Sequence, residues 1–411
     1  MEKLKVLFYS QRFPFPMDTG GKIRTGKMLE KLNEVFQITL VTNFEKKKDQ
    51  EFLSRVTDLC EEYHPVYWEE IEKYSLKFYL TVFSRIFSSL PIAILNDYSA
   101  NVENTLQELI KEKPFDFIIC DFLQPSLNFQ HITGIPMILF EHNVEHYIPK
   151  RHYENNSNWF LKLFWYSQWK KMEKYEMSAC ARFDQVIAVS ENDEKILKTL
   201  SGVDTISSIP TGVDIEYFFP VECKQEEHAL VFSGSMDWIP NVDGILFFLK
   251  EVLPLIQKTL PLVKLLVVGR NPPEHLLNDI KKYPCVSCVG RVPDVRPYIS
   301  KHGVYIVPLR IGGGTRIKIY EALAMGKAVV STTVGAEGLP LKNGEHLILA
   351  DSPEHFAQAV VDLLQNKSYR EKLGNVGMAY IRENFSWNAA AESFADSCHK
   401  VMSIQRNATV S

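Results

Sequence analysis

Short apolar runs alternate with longer segments of helical periodicity along almost the whole chain. Runs at residues 4–9, 36–42, 115–120, 136–140 and 185–189 are candidate strands. The pattern then starts afresh with runs at 229–233, 263–268, 285–289, 304–308 and 328–331. Near-continuous apolar strands separated by helices are what a parallel sheet covered on both faces requires. Two successive sets predict an α/β protein of two doubly wound domains. A turn-rich stretch, Ser208-Ile209-Pro210-Thr211-Gly212, separates them. The expected division is 1–207 and 208–385, with 386–411 forming a last helix that returns to the first domain. Helical patterns at 369–383 and 387–402 end the chain.

One connection stands apart from the others. After the apolar run Val304-Tyr305-Ile306-Val307-Pro308 comes Gly312-Gly313-Gly314-Thr315-Arg316-Ile317-Lys318-Ile319-Tyr320-Glu321, a helix-like segment that stops at Gly326. This is a strand, a glycine loop and a helix, placed where an open α/β sheet presents its ligand crevice. Thr315 is the expected N-cap, so that free amides of the first turn face an anion. Arg316 and Lys318 add what reads as fixed positive charge there. Glu321 lies about a turn further in, where a carboxylate can accept hydrogen bonds from a pair of sugar hydroxyls. The assembly suits a phosphorylated sugar or a nucleotide.

Composition narrows the function. At 411 residues the chain can bury two cores, and with 45% hydrophobic and 23% charged residues it is an ordinary globular protein. A net charge of -4 gives no reason to expect nucleic-acid binding. Seven scattered cysteines suit a reducing cytoplasm, and the lone pair Cys285/Cys288 lacks the partners of a structural zinc site. The N-terminus runs straight into a strand without a signal-peptide core, so a cytoplasmic location is expected. The greasy region 74–95 is broken by Lys77, Arg85 and several serines and does not read as a membrane span. Residues 159–175 and 74–87 are both aromatic and basic. The simpler expectation for each is a helix with one buried aromatic face. The other is an interfacial surface for a membrane or a lipid-linked acceptor.

The segment from Val286 to Leu339 resembles the donor-site half of a GT-B glycosyltransferase of the large GT4-like group. The residues that carry the resemblance are Gly290-Arg291-Val292-Pro293-Asp294-Val295, Pro308-Leu309-Arg310, the glycine-Arg-Lys-Glu run, and Ala324-Met325-Gly326-Lys327-Ala328-Val329-Val330. Gly20-Gly21, Glu141-His142-Asn143 and Ile209-Pro210-Thr211-Gly212-Val213-Asp214 extend the likeness over nearly the whole chain.

The resemblance implies two Rossmann-like domains facing across a cleft, with the nucleotide sugar in the second and the acceptor in the first. It implies that Glu321 holds the nucleotide ribose and that Arg291 and Val292 flank the base. Gly313, Gly314 and Thr315 would wrap sugar and phosphate, with Gly234 at the neighbouring strand end. His142 would lie close to the donor sugar, and the backbone at Gly20 and Gly21 close to the pyrophosphate. His142, Arg316, Lys318 and Glu321 are the expected catalytic group. The group usually retains anomeric configuration and needs no metal ion or other cofactor. The expected partners are a UDP- or GDP-linked sugar and a glycan or lipid-linked acceptor of a bacterial surface polysaccharide, with peripheral membrane contact.

Two departures stand out. The first glutamate of the group's E-x7-E pattern is replaced by Gly313, which leaves the sugar open. The Arg and Lys that usually follow the strand reading Phe232-Ser233-Gly234-Ser235 are absent, Ser235 and Pro240-Asn241 standing there instead. Arg316 and Lys318 are expected to substitute for them. Breaking the bond to a nucleoside diphosphate puts negative charge on the leaving group, which cations and amides must answer. Other readings are a nucleotide-sugar epimerase, a non-catalytic nucleotide-sugar-binding partner and, through His142-Asn143-Val144-Glu145-His146, an inverted zinc protease. His146 and His152 otherwise read as structural histidines. Gly312 to Lys318 lacks the P-loop order, and Asp18-Thr19-Gly20 is a single copy of an aspartic-protease triplet.

Overall fold

The computed structural model describes residues 3–17, 19–69, 75–156, 158–224, 226, 228–311 and 316–410, the backbone alone at 77, 78, 155 and 404–410. The chain divides into two units, residues 1–210 with 390–411, and residues 211–389. In the first, seven strands run in the order β3-β2-β1-β4-β5-β6-β7. They are β1 (Lys5–Ser10), β2 (Gln37–Phe44), β3 (Glu62–Tyr67), β4 (Phe117–Asp121), β5 (Met137–Phe140), β6 (Gln185–Ala188) and β7 (Ile206–Ser208). In the second, six strands run in the order β10-β9-β8-β11-β12-β13. These are β8 (Ala229–Ser233), β9 (Lys264–Val268), β10 (Val286–Cys288), β11 (Val304–Val307), β12 (Ala328–Ser331) and β13 (Ile348–Leu349). Every pairing between these strands is parallel.

The helices that matter for function are α1 (Gly20–Val35), α2 (Leu76–Arg85), α3 (Tyr147–Asn155), α4 (Trp159–Arg182), α5 (Ile239–Phe247), α6 (Ile317–Ala324), α7 (Lys367–Asn384) and α8 (Trp387–Val410). Central strands are buried along their whole length because helices cover both faces. Val6, Phe8, Ile118, Leu230, Phe232 and Ile306 are completely inaccessible. α8 starts in the second unit, and from Ala390 onward it belongs to the first. There Phe394 packs edge-on against Phe140 of β5 at 5.0 Å between centroids.

The strand order reverses between β1 and β4 in one sheet and between β8 and β11 in the other. Connections leave in opposite directions at such points, so a crevice opens at the carboxyl ends of the two central strands. Those ends carry the residues that directly follow Ser10 and Asp121 in the first unit, and those that directly follow Ser233 and Val307 in the second. The fold is that of a GT-B protein with two Rossmann-like domains.

The aromatic helices differ from the simpler expectation. Leu76, Tyr79, Leu80 and Phe83 of α2, and Trp159, Phe160, Leu161 and Leu163 at the start of α4, are exposed rather than packed in a core. Among the described residues, no helix is long and apolar enough to cross a membrane.

Candidate active site

In the first unit the site is built around a carboxylate. Register pairs Ser10, the last residue of β1, with Asp121, the last of β4. Asp121 is completely buried and accepts three hydrogen bonds. They come from Ser10 Oγ at 2.9 Å, Thr25 Oγ1 of α1 at 2.7 Å and His142 Nε2 at 2.7 Å. A carboxylate has no proton to offer, so Nε2 carries the hydrogen and Nδ1 keeps its lone pair. The imidazole stacks on Phe122 at 3.6 Å, with Phe140 tilted against it at 4.8 Å. Burial, reinforced by the positive charges of Arg24 and Arg12, holds the His142 pKa below its usual value against the pull of Asp121. His142 is thus a neutral, oriented hydrogen-bond acceptor.

Phe122 is held at a positive φ of 76°, which turns its ring towards the helix start. Gly20 and Gly21 open α1. A side chain at Gly21 would meet the Phe122 ring at 2.9 Å, whereas Gly20 faces open space. The packing of Phe122 is therefore a structural reason for the second glycine. Arg24, one turn on, lies 4.4 Å over the Phe140 ring and donates to the carbonyl of Ile209 at 3.0 Å. A cavity of roughly 630 Å³ opens beside this site, walled in part by Arg12, Phe13 and Lys22 and by Thr81, Val82 and Arg85 of α2.

The zinc-protease reading fails on geometry. Residues 142–146 form a turn ahead of α3, not a helix. His142 is engaged with Asp121 and His146 with Glu176, so the two histidines serve different carboxylates. The described residues contain no group of three side chains able to hold a metal ion. His146 is a buried structural histidine, as expected, whereas His152 is exposed and stacks on Trp165 at 4.4 Å.

Behind His142 lies a set of carboxyls of which the sequence reading named Glu141 and Glu145 but not Glu176. Glu141 is 1% exposed, and neither of its oxygens has a hydrogen-bond partner. Burial first, then the neighbouring Glu176 and Glu145, push its pKa well above the ordinary value. Glu145 is pushed up to about 7, again mainly by burial. A carboxyl whose folded pKa exceeds its unfolded one binds more protons when folded, so its contribution falls as pH rises between the two values. For Glu145 that window runs from about 4.5 to about 7, with ~3 kcal/mol at stake. Glu145→Gln is expected to melt several degrees above wild type at pH 8 and to match it near pH 5, as scanning calorimetry at the two pH values would register. Equal melting temperatures at pH 8 would show the carboxyl to be unstrained.

In the second unit, β8 ends at Ser233 and the chain turns through Gly234 and Ser235 into α5. The helix after β11 begins at Ile317, with Arg316 in the capping position. This corrects the expected cap at Thr315. Gly312, Gly313, Gly314 and Thr315 themselves lie outside the described residues.

Arg316 is buried, with its guanidinium 5.0 Å from the Trp238 ring. Lys318 Nζ reaches back across the sheet end to Asn241 Oδ1 at 2.7 Å and lies 4.4 Å over the Phe232 ring. A side chain at Gly234 would collide with Lys318 Nζ and with Asn241 Nδ2. The backbone there, at a φ of 157°, also disfavours a side chain, and glycine leaves room for the Lys318 amine. Lys318 therefore sits at the mouth of β8, beside the loop from which the usual cations are missing.

Its charge is not fixed, contrary to expectation. Burial, aided by repulsion from Arg316 and opposed by Glu321, lowers its pKa to about 7. Glu321 is half-buried, and burial raises its pKa to about 7 against the pull of Lys318. The i,i+3 ion pair that their spacing allows does not form. The two groups thus titrate in one window and are poised to respond to a charged ligand.

Arg291 is exposed and Val292 half-buried on the loop after β10, following Gly290. A larger cavity, roughly 820 Å³, opens among Pro261, Lys264 and Pro284 at the amino ends of β9 and β10. Ligands of open α/β sheets bind at the other end.

Comparison with known proteins bears on the family and the fold. A family model described as glycosyl transferases group 1 matches residues 227–366, and one described as glycosyltransferase family 4 matches residues 55–217. An uncharacterized 44.6 kDa protein in the cps region of Klebsiella pneumoniae is 21% identical over 93% of this chain and 96% of its own length. A phosphatidyl-myo-inositol mannosyltransferase of Mycobacterium tuberculosis is 28% identical over 50% of this chain and 56% of its own, so the match spans about half of that relative. Among solved structures, sucrose-phosphate synthase from Thermosynechococcus elongatus superposes with a TM-score of 0.71 at 17% identity, covering 98% of this chain and 100% of the other. HepE of Anabaena in complex with UDP and glucose gives a TM-score of 0.66 at 12% identity, covering 96% and 99%.

Proposed function

Since the chain belongs to the GT4-like glycosyltransferases of the GT-B fold, we propose that it moves a sugar from a nucleoside diphosphate to a glycan or lipid-linked acceptor hydroxyl in bacterial surface polysaccharide synthesis. The observation that carries the donor assignment is the Lys318 ammonium at the mouth of β8, 2.7 Å from Asn241, with Arg316 at the tip of α6. Two cations at the carboxyl end of a central strand match a leaving diphosphate, and the UDP found with the Anabaena protein is a ligand of that class. The cps-region relative supports the polysaccharide setting.

In this reading no metal ion takes part, and the second unit neutralises the leaving group through Arg316, Lys318 and backbone amides of the glycine loop. Glu321 takes the ribose hydroxyls, while the loop of Arg291 and Val292 flanks the base. His142 serves the transferred sugar with its Nδ1 lone pair, and the cavity of the first unit takes the acceptor. The C1–O bond to the diphosphate breaks as the acceptor oxygen bonds to C1 from the same face. The acceptor's proton passes to a phosphate oxygen, and anomeric configuration is retained.

A thermal-shift screen of UDP- and GDP-linked sugars tests the assignment, because a ligand at 100 times its Kd adds about 2.7 kcal/mol of stability. One nucleotide class is expected to raise the melting temperature. Glu321→Ala should weaken that ligand by about 10–100-fold, the worth of hydrogen bonds to a charged acceptor. Donor affinity unchanged in Glu321→Ala would remove the residue from the site.

A further inference from the structure

The second unit holds a cation that neither the sequence motifs nor the donor assignment uses. The turns after β8, β9 and β10 are joined through their backbones. Gly234 N donates to the carbonyl of Val268, Met236 N to that of Arg270 and Gly269 N to that of Gly290, each at 2.9 Å. A side chain at Gly269 would run into the Gly234 carbonyl, so the first two turns are in direct contact. Arg270, two residues past the end of β9, is thereby fixed beside the turn after β8.

Its side chain continues the attachment. Arg270 Nε donates to Ser235 Oγ at 2.8 Å. The Ser235 carbonyl accepts from Asn241 Nδ2 at 2.7 Å, and Asn241 Oδ1 accepts from Lys318 Nζ at 2.7 Å. Ser235 thus has a guanidinium on its hydroxyl and, through Asn241, an amine linked to its carbonyl. Nη1 and Nη2 of Arg270 make no hydrogen bond among the described residues, and the side chain is 36% exposed. Its acidic neighbour Asp237 lies 3.6 Å from Nε and is held by Ser235 Oγ at 2.6 Å and Asn271 Nδ2 at 3.1 Å. Arg310, beyond the end of β11, is by contrast spent on Asp243 through hydrogen bonds of 3.1 and 2.7 Å. A guanidinium anchored at Nε with both terminal nitrogens open suits a bidentate oxyanion.

We propose that Arg270 supplies, from the end of β9, the cation that the turn after β8 lacks. Its terminal nitrogens bind the diphosphate of the donor, while Lys318 holds it from the side of Asn241. This rests on the second unit taking a nucleoside diphosphate. A residue that merely shaped the turn would act alike on every ligand of the site.

Calorimetric titration of the full chain with UDP and GDP, and with uridine and guanosine, separates the two roles. Arg270→Gln should weaken the nucleoside diphosphate about 10–100-fold, the worth of hydrogen bonds to a charged group, and leave the parent nucleoside unmoved. Arg270→Lys should recover part of that loss, since it keeps the charge without the fork. Asp237→Asn should tighten the diphosphate by up to about fivefold, because an exposed acid no longer competes for the guanidinium. Arg270 and Asp237 are both partly exposed, so melting temperatures without ligand should match wild type. Equal losses for nucleoside and diphosphate, diphosphate affinity unmoved in Arg270→Gln, or weaker diphosphate binding in Asp237→Asn would overturn the proposal. Wild type that binds neither UDP nor GDP would bring down the donor assignment itself, and this role with it.

Discussion

Lys318→Met is expected to lower kcat/KM by about 10²–10³-fold, the effect of losing one well-placed donor to a developing anion (2.7–4 kcal/mol). The size follows from where the ammonium lies: it sits beside Gly234 and Asn241, at the end of β8, where the loop provides no cation of its own. The pH dependence is the sharper signature. Lys318 and Glu321 both titrate at about 7 in the free protein. A bound diphosphate favours charged Lys318, so binding takes up a proton there, and this contribution to affinity falls as pH rises above about 7. Ribose hydroxyls donating to Glu321 favour its ionised form, so that contribution rises with pH up to about 7 and is level above it.

In wild type the two trends adjoin, so donor affinity should peak near pH 7 and fall on either side. The variants separate them. In Glu321→Gln affinity should fall with pH, at up to about tenfold per unit, and in Lys318→Met it should rise. Calorimetric titration of the donor at pH 6, 7 and 8 reads both slopes, and slopes of the same sign would refute the assignment of either residue.

Asp121→Asn is expected to cost about 10–100-fold in kcat/KM while leaving nucleotide affinity at the wild-type value. Asparagine keeps an acceptor for Ser10 and Thr25, so the helix–strand junction survives. What changes is the group facing His142, because an amide nitrogen there donates to Nε2 and drives the hydrogen to Nδ1. The lone pair that the carboxylate kept free is then lost, and orientation of a histidine by its carboxylate partner carries effects of this size. The ¹⁵N shifts of the imidazole report the tautomer directly. A variant with normal tautomer and normal turnover would reduce Asp121 to a packing role.

The sheets were legible because their strands are covered on both faces. Runs such as Ala229–Ser233 and Ala328–Ser331 coincide with observed strands to the residue. β3 escaped because Glu62–Tyr67 is an edge strand with an internal proline and only one buried residue, so no apolar run marks it. β7 and β13 are three and two residues long, too short for any periodicity.

In the site, Arg316, Lys318 and Glu321 could be singled out because they sit together in sequence beside three glycines. Asp121 could not, since its partners Ser10 and Thr25 stand 111 and 96 residues away and meet it only through the pairing of β1 with β4. A usable signal did exist: an acidic residue closing the wholly apolar strand Phe117–Cys120 at the switch point. Likewise, the contact of Lys318 with Asn241 spans 77 residues and arises from the pairing of β8 with β11. The outward-facing aromatics of α4 defeated the periodicity argument, which assumes that apolar residues face protein.

The last helix has a consequence for how the chain is made. Phe394 and Cys398 are wholly inaccessible within the first unit, and His399 sits 5.8 Å from Phe36. The amino-terminal half thus emerges from the ribosome with β5 and α1 lacking their cover and stays open while the entire second half is synthesised. Contacts of such long sequence separation form late. A fragment ending at residue 210 would expose Phe140 to water, so the first unit is better obtained by joining residues 390–411 through a short linker than by truncation.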